Sequence, residues 1–256
     1  MASISLIQAI ILSIVQGITE WIPVSSSGHL ILFQELLGFQ DSQIPYYVFL
    51  HLASVFAIIV FFWKDILDFL KLDSKNLEYL GYLIIATIPV AIFGFFFATK
   101  IEELFSNMFF LGLFFIFSGI IVYSTKFSVE KKEKINSFDS IFIGLFQALA
   151  VLPGVSRIGM TISSALFRGL SKNAAVKFSF LMAIPVILGA FVLQAKSIII
   201  SEISYSLLII SFIITFLVSL ITIKLVIKII KSEKFYWFGV YDILLGVLVL
   251  VWSFFR

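Results

Sequence analysis

The sequence predicts an all-α polytopic membrane protein built as two inverted-topology repeats, each a re-entrant half-helix pair plus three transmembrane helices. Three observations carry that prediction. Hydrophobic residues make up 61% of the 256 and charged residues 13%, whereas soluble domains sit near half apolar and a quarter charged. Six apolar stretches are each long enough to cross about 30 Å of hydrocarbon as a helix. Two further apolar regions are interrupted by Gly, Pro and Ser, and they match each other. With a mean hydropathy of +1.14, lipid must cover part of the apolar surface.

In chain order, the first interrupted region covers 4–38 and breaks at Pro23-Val-Ser-Ser-Ser-Gly28. Spans follow at about 44–63, 79–99 and 106–125. The second interrupted region covers 138–170 and breaks at Pro153-Gly-Val-Ser-Arg-Ile-Gly159. Spans then follow at about 174–194, 205–223 and 236–255. Each break leaves pieces of about 12–17 residues, the length of re-entrant half-helices. Backbone that leaves a helix at membrane depth has unpaired N–H and C=O groups, so it must be buried in protein or line a wet cavity. At an offset of 131, Ile10 meets Ile141, Gln16 meets Gln147, and Val24-Ser25 meets Val155-Ser156. Gly28 meets Gly159, Ile31 meets Ile162, and Gly38 meets Gly169. Gln, Ser and Gly coinciding at one offset exceed what shared hydrophobicity explains. Three spans per copy is an odd number, so the copies take opposite topology, as in inverted repeats whose interrupted helices meet near the midplane. One integral membrane domain is expected, with repeat 1 over about 1–126 and repeat 2 over about 135–256.

Orientation follows from Lys and Arg. The loops at 64–78, 126–177 and 224–234 fall on one side and carry nearly all of them. The other side has only Lys100, Lys196 and Arg256, with Arg157 set aside inside the second break. The rich side is expected to be cytoplasmic, with both termini outside. No cysteine is present, which excludes disulfides and thiolate metal sites. The N-terminal stretch lacks a basic region and a small-residue cleavage site, so no cleaved signal peptide is expected.

The first break holds the richest chemistry. Gln16 and Glu20 lie i, i+4 on one helix face, and Pro23 ends that helix. Ser25, Ser26, Ser27 and Gly28 lead into the next helix, whose N-terminus presents free N–H groups suited to phosphate. A serine hydroxyl could act as nucleophile, and His29 could exchange protons near neutral pH. Helix capping and close packing are the plain alternative for the serines, as a carbonyl-bonded core role is for His29. An ionisable group at membrane depth is nonetheless a functional candidate by default. The second break supplies Ser156, Arg157 and Thr161. Arg157 stands where the first copy has Ser26, and a guanidinium matches phosphate oxygens bidentately. A buried ion pair between Arg157 and Glu20 is the alternative. His51 reads as packing or as support behind the site. Asp242, after the interfacial pair Tyr236-Trp237, reads as facing water, and Lys224, Lys228 and Lys231 read as snorkelling.

These residues resemble the undecaprenyl-pyrophosphate phosphatase family of the BacA type. Gln16-x-x-x-Glu20 with Pro-Val-Ser-Ser-Ser-Gly-His29 is similar to that family's (Glu/Gln)-x-x-x-Glu and serine–histidine region. Pro153-Gly-Val-Ser-Arg157-x-Gly-x-Thr161 is similar to its Pro-Gly-x-Ser-Arg-Ser-x-x-Thr motif. The resemblance covers essentially the whole chain. It implies a bacterial inner-membrane enzyme that removes the terminal phosphate of undecaprenyl pyrophosphate, recycling the lipid carrier of cell-wall synthesis and conferring bacitracin resistance. It also implies a divalent cation (Mg2+ or Ca2+) and a site toward the outer face. Three departures stand out. Gln16 is the neutral option where Glu is common, Ile158 replaces a Ser, and Lys177 replaces an expected Glu.

On this reading Glu20, Ser26, His29 and Arg157 are catalytic, with Ser26 the nucleophile and His29 its proton acceptor. Ser25, Ser27, Gly28, Gly154, Ser156 and Thr161 bind substrate, and Glu20 with Gln16 holds the metal. Direct water attack with His29 as base is the mechanistic rival. A lipid or anion transporter or flippase is the rival function, since broken inverted repeats also serve carriers. The expected partners are the polyprenyl pyrophosphate and membrane lipids. A homodimer is left open, and no nucleic-acid partner is expected.

Overall fold

The computed structural model describes residues 4–38, 43–69, 71, 73–105, 107–200, 203–231 and 234–255. The secondary structure of these residues is helical apart from connecting turns and one isolated bridge between Lys132 and Leu170. The helices are α1 (Leu6–Thr19), α2 (Ser26–Leu36), α3 (Ile44–Phe61), α4 (Trp63–Phe69), α5 (Ser74–Leu104) and α6 (Met108–Ser124). They continue as α7 (Ser137–Leu149), α8 (Arg157–Phe167), α9 (Lys172–Ile200), α10 (Tyr205–Lys231) and α11 (Tyr236–Phe254). Among the described residues six helices are long and apolar enough to cross a membrane. They are α3, α5, α6, α9, α10 and α11, matching the six predicted spans, so the protein is a polytopic α-helical membrane protein. Three run further than hydropathy predicted, among them α9, which reaches Ile200. α5 starts at Ser74, and α10 continues to Lys231 with Lys228 and Lys231 in its last turn. Basic groups suit the negative end of a helix dipole and let the helix continue past the hydrocarbon.

The interrupted regions form the pairs α1/α2 and α7/α8. The caps show why both regions fold alike. Ser5 and Gln8 make a capping box at the start of α1, and Asn136 and Asp139 make the equivalent one at α7. Reciprocal bonds of this kind satisfy two of the helix's otherwise unpaired donors. Ser25 Oγ accepts from Gly28 N at 3.3 Å, and Ser156 Oγ accepts from Gly159 N at 3.0 Å. The second helix of each pair stops at a glycine with positive φ, +75° at Gly38 and +76° at Gly169. All these pairs lie 131 residues apart.

Packing also exchanges between the halves. α1 packs on α10 while α7 packs on α5, and α3 packs on α9 as α6 packs on α11. The α6–α11 seam is made by Gly112 and Gly119 facing Gly246 and Gly239. A Cβ at any of them would come within 2.9 Å of backbone across the seam. Small residues let membrane helices approach this closely. The main apolar core lies under the two breaks, where Trp21 stacks on Phe180 with centroids 5.2 Å apart, near Ile158, Met182 and Ile58. Outward faces carry Phe95, Phe96, Val192, Leu193 and Leu248, all exposed, as lipid contact requires.

The Lys-rich end is tied together by ion pairs. Asp139 is fully buried and accepts from Lys132 Nζ at 2.6 Å and Arg168 Nε at 2.9 Å. Lys177 pairs with Asp65 of α4, so the unexpected lysine has a local partner.

Candidate active site

The site is assembled where the two interruptions touch. α1 ends at Glu20, whose N–H bonds Gln16 O at 3.0 Å. Pro23 prevents continuation. Ser25 then takes φ +61°, the one positive φ outside glycine among the described residues, a strained conformation of the kind that clusters at functional sites. His29 Nδ1 lies 2.8 Å from Ser25 O; a carbonyl only accepts, so the ring donates and holds the turn. On the other side Gly154 has φ +95°, and a Cβ there would stand 2.8 Å from Leu111 O. A Cβ on Gly28 would meet Phe115 Cζ at 2.5 Å and Gly154 Cα at 3.1 Å. Gly154 is thus demanded by its positive φ and by α6 behind it, and Gly28 by Phe115 of α6 and the approach of Gly154.

Glu20 joins the helix starts. Its side chain is 1% exposed. Arg157 Nη2, at the first position of α8, donates to Oε1. Ser26 Oγ, at the first position of α2, donates to Oε2 at 2.6 Å. Gln16 Nε2 donates to Oε2 at 2.9 Å. Ser26 and Arg157 are repeat equivalents, so one carboxylate bridges matching helix N-termini. A fourth partner comes from α3: His51 Nε2 lies 3.2 Å from Glu20 Oε2 and 3.4 Å from Ser26 Oγ.

This cluster floors a cavity of about 520 Å³. Glu20, Ser26, Ser27, His51, Ser156 and Arg157 supply its polar end. Its walls are apolar and come from α3, α5 and α9, including Val48, Val90, Phe95, Pro185 and Leu193. Phe95 and Leu193 are also exposed on the outer surface, so the cavity opens sideways between α5 and α9. Its lining comes from the first turns of α3, which lie remote from the Lys-rich loops, from the middle of α5 and α9, and from Phe105 just past the end of α5. A polar floor with a guanidinium and an apolar side exit suits an anionic headgroup on a hydrocarbon tail.

Of the residues expected to act together, Glu20, Ser26 and Arg157 are brought into contact, and Ser27 and Ser156 reach the cavity. Ser25, Gly28 and Gly154 shape the loops without lining it. Thr161 is buried one turn below, donating to Arg157 O at 2.9 Å. His29 does not reach the cluster. Its Nε2 lies 2.8 Å from Tyr241 OH and its ring meets Phe115 edge-on. His51, read as packing or support, stands against the nucleophile candidate instead. The signal for it was available: Tyr47, His51 and Ser54 lie i, i+4, i+7 on one face of a spanning helix, a polar stripe that apolar packing alone does not use. Asp242 was expected to face water, and this is corrected. It is fully buried in the α6–α11 seam, where Ser118 Oγ donates to it at 3.4 Å. Ile158 is buried in the main core, so the side chain at this position points away from the cavity and a serine donor there is not missed.

No group of three or more His, Asp or Glu residues that could hold a metal occurs among the described residues. Two oxygens nevertheless fit a cation carried mainly by substrate phosphates. One is Glu20; the other is Gln16 Oε1, buried and without a hydrogen-bond partner. Magnesium commonly takes one or two carboxylates and completes its shell from phosphates and water.

Fold and site together define a polytopic α-helical membrane protein with a buried carboxylate–serine–guanidinium cluster where two interrupted helix pairs meet. The family model of the bacitracin resistance protein BacA matches residues 9–248, and the chain belongs to that family. It is 42% identical over 245 residues to the undecaprenyl-diphosphatase of Thermosipho africanus, covering 93% of this chain and 97% of that one. It is 38% identical over 252 residues to that of Carboxydothermus hydrogenoformans, covering 95% and 96%. It is 40% identical over 249 residues to that of Methanococcus vannielii, covering 94% and 98%.

Proposed function

We propose that this chain hydrolyses undecaprenyl diphosphate to undecaprenyl phosphate and inorganic phosphate. The observation that carries this reading is Glu20 bridging Ser26 and Arg157 on the floor of an apolar, laterally open cavity. Release of the monophosphate carrier serves cell-wall synthesis, and keeping the diphosphate pool low opposes bacitracin, which sequesters it. Transport is not favoured: a carrier has no need of a serine hydroxyl between a carboxylate and an imidazole, and the relatives are named for a diphosphatase.

In this reading the diphosphate enters between α2 and α8. Arg157 exchanges part of its contact with Glu20 for phosphate oxygens, and the Ser26 and Ser27 N–H groups at the start of α2, both cavity residues, donate to the remaining charge. Ser26 Oγ attacks the terminal phosphorus, the bridging P–O bond breaks, and the monophosphate lipid leaves. Water then displaces Ser26 from the phosphoserine. Such a reaction needs placement and charge neutralisation more than covalent work. A divalent cation held by Glu20 and Gln16 would neutralise phosphate charge.

The first turns of α3 and Phe105, which line one end of the cavity and lie remote from the Lys-rich loops, support a site toward the outer face with the basic loops cytoplasmic. The repeated caps and exchanged helix contacts support two inverted repeats. The decisive assay is phosphate release from undecaprenyl diphosphate by the purified full chain in detergent. Release is expected, falling at least about tenfold with chelator, as for metal-assisted phosphoryl chemistry, and returning with magnesium or calcium. An inactive protein under all three conditions sinks the reading.

The lateral opening gives a second expectation. Gly94 and Gly189 line the cavity, and a Cβ on either meets nothing within 4 Å. Gly94→Phe and Gly189→Phe should therefore fold and narrow the path of the tail. KM for the long-chain substrate should rise about tenfold, equivalent to about 1.4 kcal/mol of lost binding. Farnesyl diphosphate, with its short tail, should be barely affected. Equal effects on both substrates would place the tail elsewhere.

A further inference from the structure

We infer that His51, not His29, carries the proton of the reaction, and that His29 is a positioning residue for the Ser25 turn. The inference rests on the phosphatase reading above and names a residue that reading did not require.

His51 Nδ1 lies 2.6 Å from Tyr47 O. A carbonyl accepts only, so Nδ1 bears the hydrogen and the ring is held in one orientation by its own helix. Nε2 is then the exchanging atom. It faces two oxygens of opposite use. Bare, it accepts from Ser26 Oγ, 3.4 Å away, once that hydroxyl rotates off Glu20; protonated, it donates to Glu20 Oε2, 3.2 Å away. Both protonation states have a partner in place without movement of the ring.

The competing acceptors fit less well. Ser26 O–H points to Glu20 in the resting site, but a proton on Glu20 would strand the Arg157 guanidinium without its carboxylate. His29 has both nitrogens engaged, Nδ1 with Ser25 O and Nε2 with Tyr241 OH, and its ring stacks on Tyr241 outside the cavity. The charged groups facing His51 are Glu20 from α1 and, across it, Arg157 from α8; α5 and α9 line the cavity without charged groups.

The proton balance is complete. As Ser26 Oγ bonds phosphorus, its hydrogen passes to His51 Nε2, which delivers it to the departing monophosphate oxygen. In the second step Nε2 takes a hydrogen from the attacking water and returns it to Ser26 Oγ as the P–Oγ bond breaks.

The test uses the purified full chain with farnesyl diphosphate, comparing wild type with His51→Gln, His51→Ala, His29→Gln and His29→Ala, each eluting as a single peak in detergent. His51→Gln should lower kcat by about 10²–10³-fold, the usual worth of general acid–base catalysis. KM should stay within about threefold, since ground-state binding is untouched. The loss in kcat should be smaller in His29→Gln than in His51→Gln, since only the Ser25 turn is affected. Added imidazole should restore turnover to His51→Ala in proportion to its concentration. A kcat of His51→Gln within about threefold of wild type, or imidazole rescue of His29→Ala but not His51→Ala, overturns the assignment. Active wild type with either result sinks this inference alone, whereas inactive wild type sinks the phosphatase reading and this inference with it.

Discussion

Arg157→Ala is expected to lose at least about 10³-fold in kcat/KM, the scale seen when a group stabilising transition-state charge is removed, and to be destabilised as well. Arg157 holds the one carboxylate that sits between the two helix pairs, and the Glu20 side chain is 1% exposed. Removing the guanidinium leaves Glu20 buried against Gln16, Ser26 and His51 with no fixed cation. Breaking one side of a buried pair costs about 3–5 kcal/mol because the other charge stays behind. Catalysis loses a fork that matches phosphate oxygens. The two losses separate in the double variant Glu20→Gln/Arg157→Ala. It should regain most of the melting temperature, because no charge is left unpaired, and none of the activity. Thermal unfolding in detergent and phosphate release check the pair. Recovery of activity along with stability would mean that Arg157 is only a strut.

Ser26→Ala is expected to lower kcat by at least about 10³-fold, as loss of a nucleophile does, with little change in melting temperature. The stability expectation comes from position. Ser25, not Ser26, caps α2 through Gly28 N, so alanine at 26 removes no cap. Glu20 retains Arg157 and Gln16 as donors. In the wild type, rapid acid quench with substrate labelled in the terminal phosphate should trap label on Ser26. Full turnover by Ser26→Ala with no trapped label would assign the attack to water instead.

Much of this protein is local information. Each spanning helix is visible because about twenty consecutive apolar residues answer directly to the thickness of the bilayer. The breaks are visible because Pro23 and Pro153 stop helices and serines cap the helices that follow. The 131-residue offset survives in Gln16, Ser25 and Gly28, and it reappears as matching caps at Ser5 and Asn136. It also singles out Glu20, Ser26 and Arg157, since charge and hydroxyl at a membrane helix break have few other uses.

What the interruptions contain was therefore readable from the chain; which way each side chain points was not. Successive helical residues turn by about 100°, so Ser26 and His29, only three apart, look in different directions. Packing of α2 against Phe115 and Tyr241 turns His29 away from the cavity. His51 lies in a helix 25 residues from Ser26, and only the crossing of α3 behind α1 brings its ring to Glu20. The same long-range packing buries Asp242 in the α6–α11 seam and turns Ile158 into the core. Sequence alone determined the membrane class, the two breaks and the carboxylate–serine–arginine set. The tertiary structure decided which histidine serves them, because a contact between separate helices depends on their relative rotation and depth, and neither is encoded within either helix.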